Sequence, residues 1–349
     1  MRFGNFLFPE SRAPERDGQV IDETLAEARL SDELGIEALW LAEHHFDGNC
    51  AYVDPVSFAA AVAATTSRVR IGFAVAQVSL HHPIRLAEQM ALLDNLSHGR
   101  LIIGLGRGTA HNIYEYLGYD IDPGEAQERL LEAEAVMLEA WSTENFEHRG
   151  KYWNLTLPLL RPRPYTKPHP YVIRAASSED SMLALAREGR PFLMNVQSNE
   201  ATAARLALYR RSMFEAGHDE ATVAACVEES WIWRNVFVAG TDAEAERIGL
   251  PAFEAQAEHR ARMRKRIYAE RGLEMHREVE PASRNRAGAA LIAGSPATVT
   301  EKIAAIDDIG VGGLIMSFRL GPMAHEDATD SLRLFMAEVA PQFGGGSTP

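Results

Sequence analysis

The sequence predicts an α/β protein built as a single (β/α)8 TIM barrel, and three observations lead there. Short apolar runs alternate with helix-like patterns, the runs number eight, and the residues suited to chemistry fall just after them. The runs are Phe3 to Phe8, Ala38 to Ala42, Arg70 to Ala76, Leu101 to Leu105, Tyr171 to Arg174, Phe192 to Val196, Trp231 to Val238 and Gly313 to Phe318. Strands alternating with helices make parallel pairs, and eight parallel strands close into a barrel. Residues 1–343 are read as that one domain, and 344–349, rich in Gly, as a flexible tail.

The helices between the runs carry their own punctuation. Val20 to Leu34 places Leu25, Ala28 and Leu34 on one side and stops at Gly35, where a left-handed residue is wanted. Gly189, Gly310 and Gly312 read the same way. Asp54-Pro55 is a cap followed by proline in the first helical position, and Pro83 opens the next helix similarly. Two stretches break the alternation. Glu144 to Thr156 reads as a hairpin inserted after the fourth helix. Glu254 to Arg286, with Arg260, Arg262, Arg264 and Arg266, reads either as a lid or as a solvated amphipathic helix.

Bulk properties narrow the function. The chain has 349 residues, 46% hydrophobic and 24% charged, which is ordinary for a globular protein. A formal charge of −14, from 49 acidic and 35 basic residues, argues against nucleic acid as a partner. Two cysteines, Cys50 and Cys226, are too few for a disulfide framework or a zinc site and fit a reducing compartment. The opening residues lack the apolar length of a signal peptide, and no apolar run approaches a membrane span. A cytoplasmic protein with no membrane partner is expected.

In such barrels the active site lies at the C-terminal ends of the strands. The second strand delivers Glu43-His44-His45, and the third runs through Ala74-Val75 toward His81-His82. The fourth ends Gly104-Leu105-Gly106-Arg107-Gly108, and the fifth runs into Ser177, Ser178 and Ser181. An arginine among glycines suits an anion approached by backbone, or else a tight turn with an exposed cation. The glycine spacing does not fit a dinucleotide fingerprint. Serines where a helix begins suit a phosphate, although capping alone explains one of them. A strand-end histidine can handle protons near neutral pH or be a packed, hydrogen-bonded residue. Metal ligation is the weaker reading of the histidine pairs, because neighbours on a strand point to opposite faces.

Several of these segments together resemble the bacterial luciferase family of flavin-dependent monooxygenases. They are Arg2-Phe3-Gly4-Asn5-Phe6-Leu7, Trp40-Leu41-Ala42-Glu43-His44-His45-Phe46, His82-Pro83-Ile84-Arg85-Leu86-Ala87-Glu88, and Leu93-Asp94-Asn95-Leu96-Ser97-His98-Gly99-Arg100 leading into Gly104 to Gly108. The resemblance implies a catalytic segment Glu43, His44 and His45, with His44 as general base or hydrogen-bond donor. It implies reduced FMN as cofactor, with Arg107, Ser177 and Ser178 at the phosphate and Ala74-Val75 where the family often has a non-prolyl cis peptide beneath the flavin ring. It further implies dioxygen chemistry on a small organic substrate, a separate NAD(P)H-dependent flavin reductase, and a homodimer packed through helices that follow the early strands. Keeping the first histidine of the pair favours an active enzyme over a noncatalytic flavin-binding partner subunit. A deazaflavin-dependent dehydrogenase of the same fold is the other alternative. Gly106, Ala110 and Val196 replace a cysteine, an aromatic residue and a tryptophan of the luciferases, so the long-chain aldehyde substrate is not implied.

Overall fold

The computed structural model describes residues 1–109, 112–195, 198–274 and 287–344. Ala110 and Val196, two of the pocket departures, lie outside the described residues, as do 275–286 and 345–349.

The eight expected runs all form strands of one closed parallel barrel: β1 (Arg2–Leu7), β2 (Ala38–Leu41), β3 (Arg70–Phe73) with its short continuation β4 (Ala76–Gln77), β5 (Leu101–Gly106), and, beyond the inserted hairpin β6 (Phe146–Arg149) and β7 (Asn154–Leu157), β8 (Tyr171–Ala175), β9 (Phe192–Met194), β10 (Trp231–Val238) and, past the added strand β11 (Leu291–Gly294), β12 (Gly313–Ser317). Pairing runs β12-β1-β2-β3-β5-β8-β9, and contacts of β10 with both β9 and β12 close the ring. β11 extends the sheet along the far half of β10 and was not foreseen. The hairpin is antiparallel, with Phe146 opposite Leu157.

Helices α1 (Asp17–Leu34), α2 (Pro55–Thr65) and α3 (Pro83–Leu96) follow the first three strands, and α4 (Ile113–Gly118) and α5 (Ala126–Ser142) follow β5. Next come α6 (Glu179–Glu188), α7 (Asn199–Glu215), α8 (Glu220–Glu228), α9 (Asp242–Glu270), α10 (Ala287–Ala290), α11 (Pro296–Asp307) and α12 (His325–Leu334). Their ends are where the residues dictate. The Asp54 carboxylate accepts from the Val56 and Ser57 N–H groups at the start of α2. Gly35, Gly189 and Gly310 have φ of 82°, 64° and 80°. Gly312 departs from expectation: it does not take a left-handed conformation, and its role is close approach, since a Cβ there would lie 1.7 Å from the Glu228 carbonyl.

The barrel interior is filled in layers set by strand alternation. At the bottom Trp40 occupies space left by two glycines; a Cβ on Gly4 or Gly72 would come within 2.5 and 2.6 Å of its ring. Trp231 sits likewise over Gly313, and the two indoles meet edge to face at 5.1 Å. Both are fully buried, and removing an indole of roughly 200 Å² from water is worth on the order of 5 kcal/mol. Above them Phe6 packs on Trp233 at 4.7 Å, and above that Phe8 packs edge-on against His44 at 5.4 Å. His44 therefore tops the column that Trp40 begins.

Candidate active site

At the end of β2 the inward and outward residues separate. His44 is half-buried at the mouth, whereas Glu43 and His45 are buried behind it. The Glu43 carboxylate meets the Nε2 atoms of His45 at 2.9 Å and His81 at 2.7 Å, and it accepts from the Gln77 N–H at 2.6 Å. Burial alone would raise its pKa, but hydrogen bonds from His45 and His81, the His81 charge and the Gln77 amide reverse that and hold it at about 2. Burial disfavours the charged imidazole of His81, yet Glu43 overcomes it and raises its pKa. On the other ring nitrogen of His45 sits the Tyr119 hydroxyl, at 3.2 Å. Glu43, His45 and His81 thus form an internally satisfied cluster that supports the loop carrying His44.

A residue the sequence reasoning did not single out is central to this loop. Glu115, fully buried on α4, brings Oε1 to within 3.1 Å of His44 Nδ1 and accepts from the His45 backbone N–H at 3.0 Å and from Asn112 Nδ2 at 3.2 Å. Its Oε2 accepts from Gln77 Nε2 at 2.9 Å. Burial opposes the charged form of His44, but Glu115, with Asp47 behind it, outweighs burial and the opposing Arg260, so the His44 pKa is raised. His44, Asp47 and Glu115 also bring ligand-type atoms within 4.8 Å of one another. Both Glu115 oxygens are engaged by hydrogen-bond donors and His44 Nδ1 by Glu115, while Asp47 accepts from the Asn49 N–H at 3.0 Å.

One strand further round the barrel, the Ala74–Val75 peptide is cis, as the resemblance implied, and both side chains are half-buried. The β5 glycines serve this strand. A Cβ on Gly104 would lie 1.7 Å from the Phe73 carbonyl, one on Gly106 2.5 Å from Val75 Cγ2, and one on Gly108, whose φ is +75°, 1.9 Å from Gln77 Oε1. Their smallness admits neighbouring protein, where the sequence had suggested room for an anion. Arg107 nonetheless projects from this tight backbone as an exposed cation.

β5 and β8 pair in a register that sets Leu105 opposite Arg174, so Arg107 and Ser177 emerge from neighbouring strands at the same end of the barrel. Both serines are exposed. Ser178 is the N-cap of α6 and exchanges hydrogen bonds with Ser181 in a capping box, which commits its hydroxyl and N–H to the helix. Ser177 has no part in that box. Its carbonyl accepts from Arg205 Nη1 of α7 at 3.3 Å, which adds a second cation that local sequence could not announce.

The C-terminal half of α9 covers the mouth. Arg260 lies over the Phe8 ring at 5.2 Å, Tyr268 meets Tyr114 edge-on at 6.4 Å, and Met263 packs near Gly48. Arg262, Lys265 and Arg266 face solvent. The described part of this stretch is thus an amphipathic helix with one face on the barrel and one in solvent, and 275–286 lie outside the described residues.

Residues 1–312 match the family described as luciferase-like monooxygenases. The chain belongs to that family. Among solved structures it is similar to the monooxygenase RslO1 from Streptomyces bottropensis, 29% identical with a TM-score of 0.82, covering 98% of this chain and 100% of that one. It is 31% identical, over 52% of this chain and 50% of the relative, to the oxygenase component of the flavin-dependent trigonelline monooxygenase of Acinetobacter baylyi. The chain spans about half to two thirds of the curated relatives it matches, 65% and 54% for two proteins of Sinorhizobium fredii. The fold is shared with the FMN-bound oxygenating constituent of 3,6-diketocamphane monooxygenase of Pseudomonas putida, 24% identical at a TM-score of 0.77 over 98% of both chains. It is shared too with an F420-dependent secondary alcohol dehydrogenase, 14% identical at a TM-score of 0.73 over 97% of this chain and 98% of that one. Among the described residues no helix is long and apolar enough to cross a membrane.

Proposed function

We propose that this luciferase-like protein is the oxygenase component of a two-component flavin-dependent monooxygenase, which takes reduced FMN from a separate NAD(P)H-dependent flavin reductase and oxygenates a small organic substrate with O2. The observation that carries the reading is the sequence of four neighbouring strand ends: His44 after β2, Ala74-Val75 after β3, Arg107 after β5 and Ser177 after β8. A proton-handling group, a small-residue platform and an anion handle thereby lie side by side in the order a flavin spanning the mouth would need.

The donor set fits FMN. Arg107, Ser177 and Arg205 supply charge-assisted and neutral hydrogen bonds suited to a phosphate dianion, and Ser178 contributes by ordering the first turn of α6. Phe6, Phe8 and Trp233 make the mouth's inner wall apolar, which suits an organic substrate. When bound, reduced FMN supplies the two electrons with which one atom of O2 enters the substrate and the other leaves as water. His44 holds or moves a proton at Nε2, steadied from behind by Glu43 and His45. The α9 face with Arg260, Met263 and Tyr268 limits access of bulk water. A second copy would pack on the helices after the early strands, where α3 leaves Leu92 and Leu96 exposed.

Anaerobic titration with reduced FMN, followed by rapid mixing with oxygenated buffer, tests the reading. Tight binding and a return of oxidised FMN much slower than in free solution are expected. Binding of a reduced deazaflavin in place of reduced FMN, with turnover that needs no O2, would instead establish the dehydrogenase alternative. Light scattering at micromolar concentration checks the homodimer.

A further inference from the structure

We propose that Glu115 is the positioning residue of this site, fixing His44 in its Nδ1–H form so that Nε2 is the one ring atom left to exchange a proton at the mouth. The inference rests on the reading of His44 as the proton-handling group and extends it to a residue 71 positions away in sequence.

The chemistry is decided at Nδ1. Among the described residues two side chains approach it: Glu115 Oε1 at 3.1 Å and Asn112 Nδ2 at 3.2 Å. An ionised carboxylate can only accept. Were Nδ1 unprotonated, its lone pair would face that anion in a buried setting, a repulsion that the amide of Asn112 could not offset. With Nδ1 protonated, the imidazole donates to Oε1, and Asn112 Nδ2 has its own acceptor in the same oxygen at 3.2 Å. The neutral ring then carries its lone pair on Nε2, in a side chain that is 26% exposed. Glu115 is itself fixed, because the His45 N–H and Gln77 Nε2 hold its two oxygens from two different strand ends. Gln77 in turn donates Nε2 to the Glu43 carbonyl at 2.7 Å. One carboxylate therefore ties together the loop after β2, the strand β4 and the helix α4, and the ring it orients has little freedom to turn. The charged groups facing His44 are Glu115 from α4, Asp47 from its own loop and Arg260 from α9. Of these, Glu115 is the one hydrogen-bonded to the ring among the described residues. This is the logic by which a third group sets the tautomer of a catalytic imidazole.

Long-range nitrogen–proton correlation NMR of protein carrying isotope-labelled histidine reads the tautomer directly, with His44 assigned by its absence in His44→Ala. The wild type is expected to show neutral His44 as the Nδ1–H form. Glu115→Gln should mix the two forms and lower the pH at which His44 titrates, with reduced-FMN affinity within about twofold. The rate at which O2 oxidises bound reduced FMN should then fall about tenfold or more and shift its pH dependence in the same direction. Glu115→Asp, which keeps the charge but shortens the reach, should restore part of the wild-type profile. Wild-type His44 signals and titration in a folded Glu115→Gln protein would overturn the inference. If Glu115→Gln does not fold, the wild-type spectrum still decides, because neutral His44 found in the Nε2–H form would overturn the inference equally. Failure to bind reduced FMN at all, with the tautomer as expected, would refute the proposed function and leave the assignment to Glu115 standing.

Discussion

The two halves of the mouth are built on opposite plans. After β2 the chain buries two carboxylates, Glu43 and Glu115, and surrounds them with His44, His45, His81, Gln77 and Asn112 until every charged oxygen has a donor. After β5 and β8 the cation Arg107 and Ser177 are exposed, and Arg205 reaches from α7 to the Ser177 carbonyl. Where charges are buried, each hydrogen bond is strong and each loss is felt through the fold. Where they are exposed, water and salt screen them until a ligand excludes both. The first half is organised by its own hydrogen bonds, and the second, on the proposed function, would be organised by the phosphate it binds. One is suited to chemistry and the other to capture.

That contrast can be broken by experiment, and the largest effect belongs to the buried half. His44→Ala should retain reduced FMN while product formation falls by roughly a hundredfold or more, the usual range for a positioned acid or base. Unchanged turnover in coupled assays with a flavin reductase would remove His44 from the chemistry. Next, Glu43→Gln should cost about 3 kcal/mol in urea unfolding, since it strips a buried charge from two histidines. The sign in pH follows from its depressed pKa. The ionised carboxylate stabilises the fold fully above its ordinary value of 4.5, and that contribution disappears as pH falls toward about 2. Glu43→Gln should therefore flatten the acid limb of the stability profile, and an unaltered limb would show that the cluster is not coupled to folding.

Smaller effects are expected in the exposed half. Arg107→Ala should weaken FMN by about ten- to a hundredfold, with riboflavin affinity little changed and the salt dependence of FMN binding reduced. Equal losses for both ligands, measured by fluorescence titration, would place Arg107 away from the phosphate. Smallest of all, Ser178→Ala should cost about 1 kcal/mol as a lost helix cap and leave FMN affinity nearly unaltered. A large loss of FMN would make Ser178 a ligand rather than a cap.

The same division governs what could be read in the sequence. Strands announce themselves by local alternation and turn chemistry, so all eight barrel strands and the hairpin were legible. His44 was legible because a strand end is a local feature. Glu115 was not, because its partners lie on other strands, and Asn112-Ile113-Tyr114-Glu115 has the spacing of a helix cap. The structure shows no side-chain cap there; both residues turn toward His44 instead. Arg205 was hidden similarly, as one arginine among several on α7. The β5 glycines were visible, but whether a small residue admits a ligand or a neighbouring strand depends on three-dimensional packing.

The tryptophan plug at the bottom of the barrel has a bearing on traffic. With Trp40 and Trp231 interlocked against Gly4, Gly72 and Gly313, indole rings fill that end of the barrel, while α9 lies over the other. On the proposed function, a substrate seated between the plug and a flavin would have to enter before the flavin and leave after it, so the filled end would bear on the order of binding as much as the affinities at the open one.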